Sequence, residues 1–193
     1  MKKLLRPFDF IAGQTAVISG IIFAILGGVL AHYLSIHFNG LFNLKYIQPQ
    51  TFPFSQIAES VFVVLVLATI EFLIVRLFFK RPTRWIDYFG TSLLARIPIY
   101  IMAGLFPAFG LSEEYFVNML NELSTNGQIP DTSNLLIFSL ISLPLLVYSV
   151  YLYYHAFAVS GGIKGAKAVI SFIAAIILSE IIIYLTFPAL FYV

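Results

Sequence analysis

The sequence predicts an all-α integral membrane bundle of five transmembrane helices, on three observations. Of its 193 residues, 60% are hydrophobic and only 10% are charged, against about 25% charged in an ordinary soluble domain. Five apolar stretches reach the roughly 20 residues needed to cross about 30 Å of hydrocarbon. The basic residues gather in every second connection, as a chain that crosses back and forth requires. So few polar residues could not cover a soluble surface, which excludes a cytosolic globular domain, a disordered tail and a basic-patch nucleic-acid binder. The net charge of +2 asks for no strongly charged partner, and the lack of cysteine removes disulfides, thiolate metal sites and Cys nucleophiles. Strict period-two alternation is missing, so a β-barrel is not expected.

The five expected spans are residues 15–38, 57–79, 89–110, 134–157 and 166–192, in a single domain covering residues 1–193. The third is the least regular, since it holds Arg96, Pro98 and Pro107. Alternate placement puts Lys2, Lys3, Arg6, Lys80, Arg81, Arg84, Lys164 and Lys167 on one side and Lys45 on the other. The eight mark the cytoplasmic face, which puts the N-terminus in the cytoplasm and the C-terminus outside. The first span is expected to stay in place rather than be cleaved as a signal peptide, because its apolar run continues through Leu34 and Ile36.

The connections also carry pattern. Residues 2–10 mix Lys2, Lys3 and Arg6 with Leu4, Leu5, Phe8 and Phe10, as a short strip lying on the inner leaflet would. In the longest outer loop Leu111, Tyr115, Phe116, Met119, Leu120 and Leu123 recur at helical spacing. Ser112 suits an N-cap, Glu113 and Glu114 the positive helix end, and Asn126-Gly127 the stop. An amphipathic helix over about 112–125 is expected there. Gly161-Gly162-Ile163-Lys164-Gly165 reads as a tight turn between helices, since it lacks the Lys-Ser/Thr end of a phosphate loop.

Within the spans, Ala12, Ala16, Gly20, Ala24 and Gly28 form a small-residue ridge that lets helix backbones approach closely. Gly20, Ala24 and Gly28 are the expected packing positions, serving internal contact before a dimer, with Ser171, Ala175 and Ser179 as a natural counterpart. Pro98 and Pro144 are expected to kink their helices toward the bundle.

Charges in hydrocarbon are costly and therefore informative. Glu71, Arg96, Glu180 and His32 are the candidate intramembrane polar site. At about 1.5 Å per residue, Glu71 and Arg96 fall about 12 and 10 Å deep from the cytoplasmic side, and Glu180 and His32 about 21 and 25 Å. Glu71–Arg96 is the best expected pair, fixing helix register, and Glu180–His32 a second that could exchange a proton. Glu59 reads as close enough to the outer interface to be solvated, and His155 as part of an aromatic belt with Tyr148, Tyr151, Tyr153 and Tyr154. The three histidines are too dispersed to share a metal. No H-E-x-x-H, G-x-S-x-G or P-loop is present, so neither catalysis, a catalytic residue, a metal site nor a cofactor is expected.

A further pattern runs from Trp85-Ile86-Asp87-Tyr88-Phe89-Gly90-Thr91 to Arg96-Ile97-Pro98, through the aromatic run Tyr148 to His155, to Gly161-Gly162-Ile163-Lys164-Gly165-Ala166-Lys167-Ala168. With five spans and a basic turn before the last, it resembles the Yip family of Ypt-interacting proteins and its bacterial relatives. The resemblance implies a five-helix membrane domain and, in eukaryotic members, Rab-type GTPase binding and vesicle traffic. Together with the small-residue ridge, the N-terminal strip and the absence of a continuous polar path, it points to a non-enzymatic scaffold or adaptor, expected in the cytoplasmic membrane of a bacterium. The expected partners are membrane lipid, another membrane protein or a second copy of the chain, and not nucleic acid. The alternative is a small transporter of ions or lipids using the intramembrane Glu, Arg and His residues.

Overall fold

The computed structural model describes residues 6–46, 53–126 and 132–191. Helix α1 (Gly13–Tyr33) leads into two short strands, β1 (Ile36–Phe38) and β2 (Leu44–Tyr46), and then into α2 (Ser55–Phe78). The third span is built from α3 (Trp85–Ala95), α4 (Ile97–Leu105) and a 3₁₀ turn at Phe106–Phe109. Helices α5 (Glu113–Asn126), α6 (Ser133–Gly161) and α7 (Ala166–Phe191) complete the chain. Five helical segments are long and apolar enough to cross a membrane: α1, α2, α3 with α4, α6 and α7. The protein is thus an all-α bundle of membrane-spanning type.

Helix α1 ends five residues short of the span expected at 15–38. Ser35 adopts a left-handed backbone, φ 54°, which costs a non-glycine residue about 1–2 kcal/mol and breaks the helix. The chain then forms a hairpin, with Ile36 opposite Tyr46, His37 opposite Lys45 and Phe38 opposite Leu44. Ile36, Phe38 and Leu41 are fully buried, so the hairpin enters the bundle. Asn39-Gly40 between two runs of β-branched and aromatic residues is its local signal.

The third span starts at Trp85, one turn before residue 89, and breaks at Arg96. Pro98 has no N–H to continue the helical ladder. The Ile99 N–H bonds to the Arg96 carbonyl, and Ser149 Oγ of α6 donates to the Ala95 carbonyl at 3.4 Å. A neighbouring hydroxyl is what a helix break in hydrocarbon requires. Pro98 is buried as expected, but Pro144 is exposed. Helix α6 turns Ser142 and Ser149 inward, which leaves Pro144 on the opposite side.

The small-residue ridge works inside the molecule. A Cβ on Gly20 would stand 2.5 Å from Leu93 Cβ, and one on Gly90 would stand 2.8 Å from the Val17 backbone nitrogen. Helices α1 and α3 therefore touch backbone to backbone, while Gly28 packs on Ile57 of α2. The expected counterpart on the last helix is corrected. Ala175 and Ser179 are buried, but α7 packs on α2, where Phe187 and Phe191 meet Phe62. Two facing glycines permit an approach that a ridge carrying a Cβ at every position does not.

Helix α5 begins as expected, with Ser112 Oγ accepting the Tyr115 N–H at 3.2 Å, while Gly127 lies outside the described residues. It caps the hairpin end of the bundle, where Tyr46 OH donates to the Leu111 carbonyl at 2.6 Å. Of the expected leaflet strip, residues 2–5 lie outside the described residues. Phe8 is buried and stacks on His155 of α6 at 5.7 Å, so this part docks on protein, while Phe10 stays exposed. The α6–α7 connection is the tight turn expected, with Gly162 and Gly165 at φ 59° and 71°.

Candidate functional site

A hairpin inside an apolar bundle carries backbone N–H and C=O groups to a depth where water cannot satisfy them. Three charged side chains, each from a different span, supply the missing partners. Arg96 is fully buried, and its guanidinium donates to the Leu41 carbonyl at 3.2 Å and the Gly40 carbonyl at 3.0 Å. Its Cζ also stands 5.2 Å from the centre of the Phe38 ring, a cation–π position. Glu180 accepts the Leu41 N–H at 2.8 Å, so Arg96 and Glu180 hold the two sides of one residue. Gly40 leaves room for this, since a Cβ there would lie 3.1 Å from Glu180 Oε2.

Glu59 is the third. It accepts the Phe38 N–H at 2.9 Å, His37 Nδ1–H at 2.7 Å and the Ser55 hydroxyl at 3.0 Å. It is fully buried, which corrects the reading of it as solvated: the hairpin covers it. Sequence reasoning missed His37, Glu59 and Ser55 as a unit because residues 36–38 read as the end of a helix. The Asn39-Gly40 turn signal would have found them.

The two expected pairs are not formed. Arg96 is committed to the hairpin carbonyls, and Glu71 is left with a single weak contact, the Ser92 hydroxyl at 3.4 Å from Oε2. Glu180 takes the Leu41 N–H instead of His32. The His32 ring packs on Phe54 at 4.3 Å, because the buried stripe of α1 passes through Ala31 and turns His32 toward the start of α2. The His–Glu contact that the structure does contain is His37–Glu59.

Glu71 belongs to a different environment. It is fully buried on α2, and its Oε1 has no hydrogen-bond partner. The same holds for Thr83 Oγ1, Tyr88 OH, Tyr153 OH and Arg96 Nε. Tyr88 lies near both Thr83 and Glu71, and Tyr153 near both Glu71 and Arg96. Unpartnered polar atoms thus run from the basic end of the bundle to the foot of the hairpin. Groups of this kind are those that bind internal water.

The cavities lie elsewhere. One of about 720 Å³ opens between the end of α1 and the start of α5, and a shallow apolar groove runs along Pro144, Val147 and Tyr151. None of Glu71, Arg96, Glu180 and His32 lines either. Beside the first, Tyr46 is held up to about 12 by burial, with the Glu113 carboxylate adding to it. No cluster of three His, Asp or Glu residues suited to a metal exists among the described residues.

Comparison with protein-family models, curated proteins and solved structures found no match to this chain.

Proposed function

We propose that the protein is a non-enzymatic membrane scaffold or adaptor of Yip-like type. In this reading its N-terminus is cytoplasmic, its C-terminus is outside, and it resides in the cytoplasmic membrane of a bacterium. The observation that carries the reading is the commitment of Arg96, Glu180 and Glu59 to the backbone of the buried hairpin. A carrier needs such groups free to bind and release a solute, whereas a scaffold needs them to hold a fixed shape. The broad apolar faces of α6 and α7, with Leu140 and Tyr184 among their most exposed side chains, offer surface to lipid or to a partner helix. The alternation of the eight basic residues along the sequence supports the orientation.

The unpartnered groups around Glu71 favour the second reading, a small ion or lipid transporter. Reconstitution into vesicles separates the two. The scaffold predicts no saturable ion or lipid flux, and one membrane-protein partner retained at fixed stoichiometry after gentle extraction and crosslinking. Flux that is lost in Glu71→Gln would replace it with the transporter.

A further inference from the structure

The end of the bundle opposite the hairpin gathers more cations than carboxylates. A cavity of about 350 Å³ is lined by Arg76, Lys80, Arg81 and Pro82, where α2 ends and the chain turns toward α3. Its parts are held in place by the fold. The Arg81 guanidinium donates to the Gly162 carbonyl on the α6–α7 turn. The Arg76 guanidinium stands 5.7 Å from the centre of the Phe72 ring, one turn back along α2. Lys80 sits in the left-handed backbone region at φ 51°, which turns the chain sharply at the lip of the cavity.

Among the described residues, Arg76, Lys80 and Arg81 have no carboxylate within ion-pairing distance, and the nearby Asp87 is engaged by Arg84 at 3.0 Å. Three positive groups around one opening call for a compact anion with several acceptor oxygens, and guanidinium groups match phosphate geometry. The surroundings narrow the choice further. Leu77 and Phe78, just before the cavity, are 65% and 79% exposed on a helix apolar enough to cross a membrane. A ligand that fits is charged at one end and apolar along its length.

We propose that this cavity is a headgroup site for an anionic phospholipid. The phosphate is held by Arg76, Lys80 and Arg81, and the acyl chains lie on Leu77 and Phe78. Basic pockets at the boundary of a transmembrane helix bind acidic headgroups in this way. The site requires only an anionic leaflet at this end of the bundle and does not depend on the scaffold reading.

The test uses the full chain in neutral detergent, titrated with phosphatidylglycerol or phosphatidylcholine and followed by native mass spectrometry and thermal unfolding. The expected result is one retained phosphatidylglycerol with a preference of about ten-fold or more over phosphatidylcholine, and a higher Tm. The double variant Arg76→Gln with Lys80→Gln loses that preference, while the charge-conserving Arg76→Lys with Lys80→Arg keeps it. Arg81 is left in place because it also holds the α6–α7 turn. Lys45→Gln, on the hairpin, leaves the preference unchanged. Equal retention of the two lipids, or a preference that survives the Gln variant, overturns the site. Inorganic phosphate stabilising the protein as well as the lipid does overturns the lipid as its ligand.

Discussion

The two halves of this bundle bury ionisable side chains for opposite reasons. In the hairpin half, buried Glu59 and Arg96 and half-buried Glu180 each bond to backbone that would otherwise be unsatisfied. In the basic half, Glu71 is just as buried but has a free oxygen and neighbours that are themselves unpartnered. Burial alone therefore does not mark a functional charge in a membrane bundle; the clamps are distinguished by bonding to backbone, whereas Glu71 meets only one distant hydroxyl. Removing any clamp in the first half leaves a peptide group of the hairpin without its partner.

That contrast can be broken by substitution, and Arg96→Ala carries the largest expected effect. It removes two charge-assisted hydrogen bonds of about 1.5–3 kcal/mol each, so unfolding in micelles should cost about 3–6 kcal/mol less than for the parent. Arg96→Lys should recover part of this, since an ammonium lacks the planar fork that reaches two adjacent carbonyls. A loss under about 1 kcal/mol would show that the hairpin does not depend on its clamp.

Glu180 comes next. Glu180→Leu should lower stability by about 1.5–3 kcal/mol, the value of one hydrogen bond to a charged group. Glu180→Gln should lose less, because its side-chain carbonyl still accepts the Leu41 N–H. Equal losses in the two variants would mean that charge, not hydrogen bonding, holds the tip.

Tyr46 sharpens the comparison at the mouth of the hairpin. Its phenol is raised to about 12 in the folded protein from an unfolded value of about 10. The stability it contributes is therefore complete below pH 10 and lost as pH rises from there through about 12. Tyr46→Phe should cost about 1 kcal/mol at neutral pH and flatten the alkaline fall in Tm. An alkaline fall unchanged in Tyr46→Phe would assign it to another group.

Glu71→Gln should have the smallest effect on stability, because glutamine keeps an acceptor for the Ser92 hydroxyl and Oε1 has no partner to lose. A destabilisation comparable to that of Arg96→Ala would erase the distinction between the halves.

Much of the fold was legible in one dimension. The five segments, the amphipathic α5 with its Ser112 cap and the Gly162 turn follow from apolar run length, helical spacing and local turn chemistry. The intramembrane charges were legible as residues, but their partners were not. Arg96 was matched to the nearest opposite charge on an adjacent helix, when its ligands are peptide carbonyls 55 and 56 positions away. In sequence Glu59 lies at the outer end of the span expected at 57–79, which points to solvent and gives no hint that a hairpin lies over it. The close pairing of Gly20 with Gly90 was equally hidden, since a small-residue ridge states that a close contact exists without naming the other side.

By itself, the sequence determined that the chain is an apolar five-helix bundle. These properties depend on composition and on the 1.5 Å rise per residue, which need no knowledge of neighbours. Only the tertiary structure decided that residues 36–46 turn back into the bundle, and that Arg96, Glu180 and Glu59 hold them there. A buried peptide group must be satisfied by whatever side chain reaches it in space, and in the case of Leu41 and Glu180 that partner lies 139 residues along the chain.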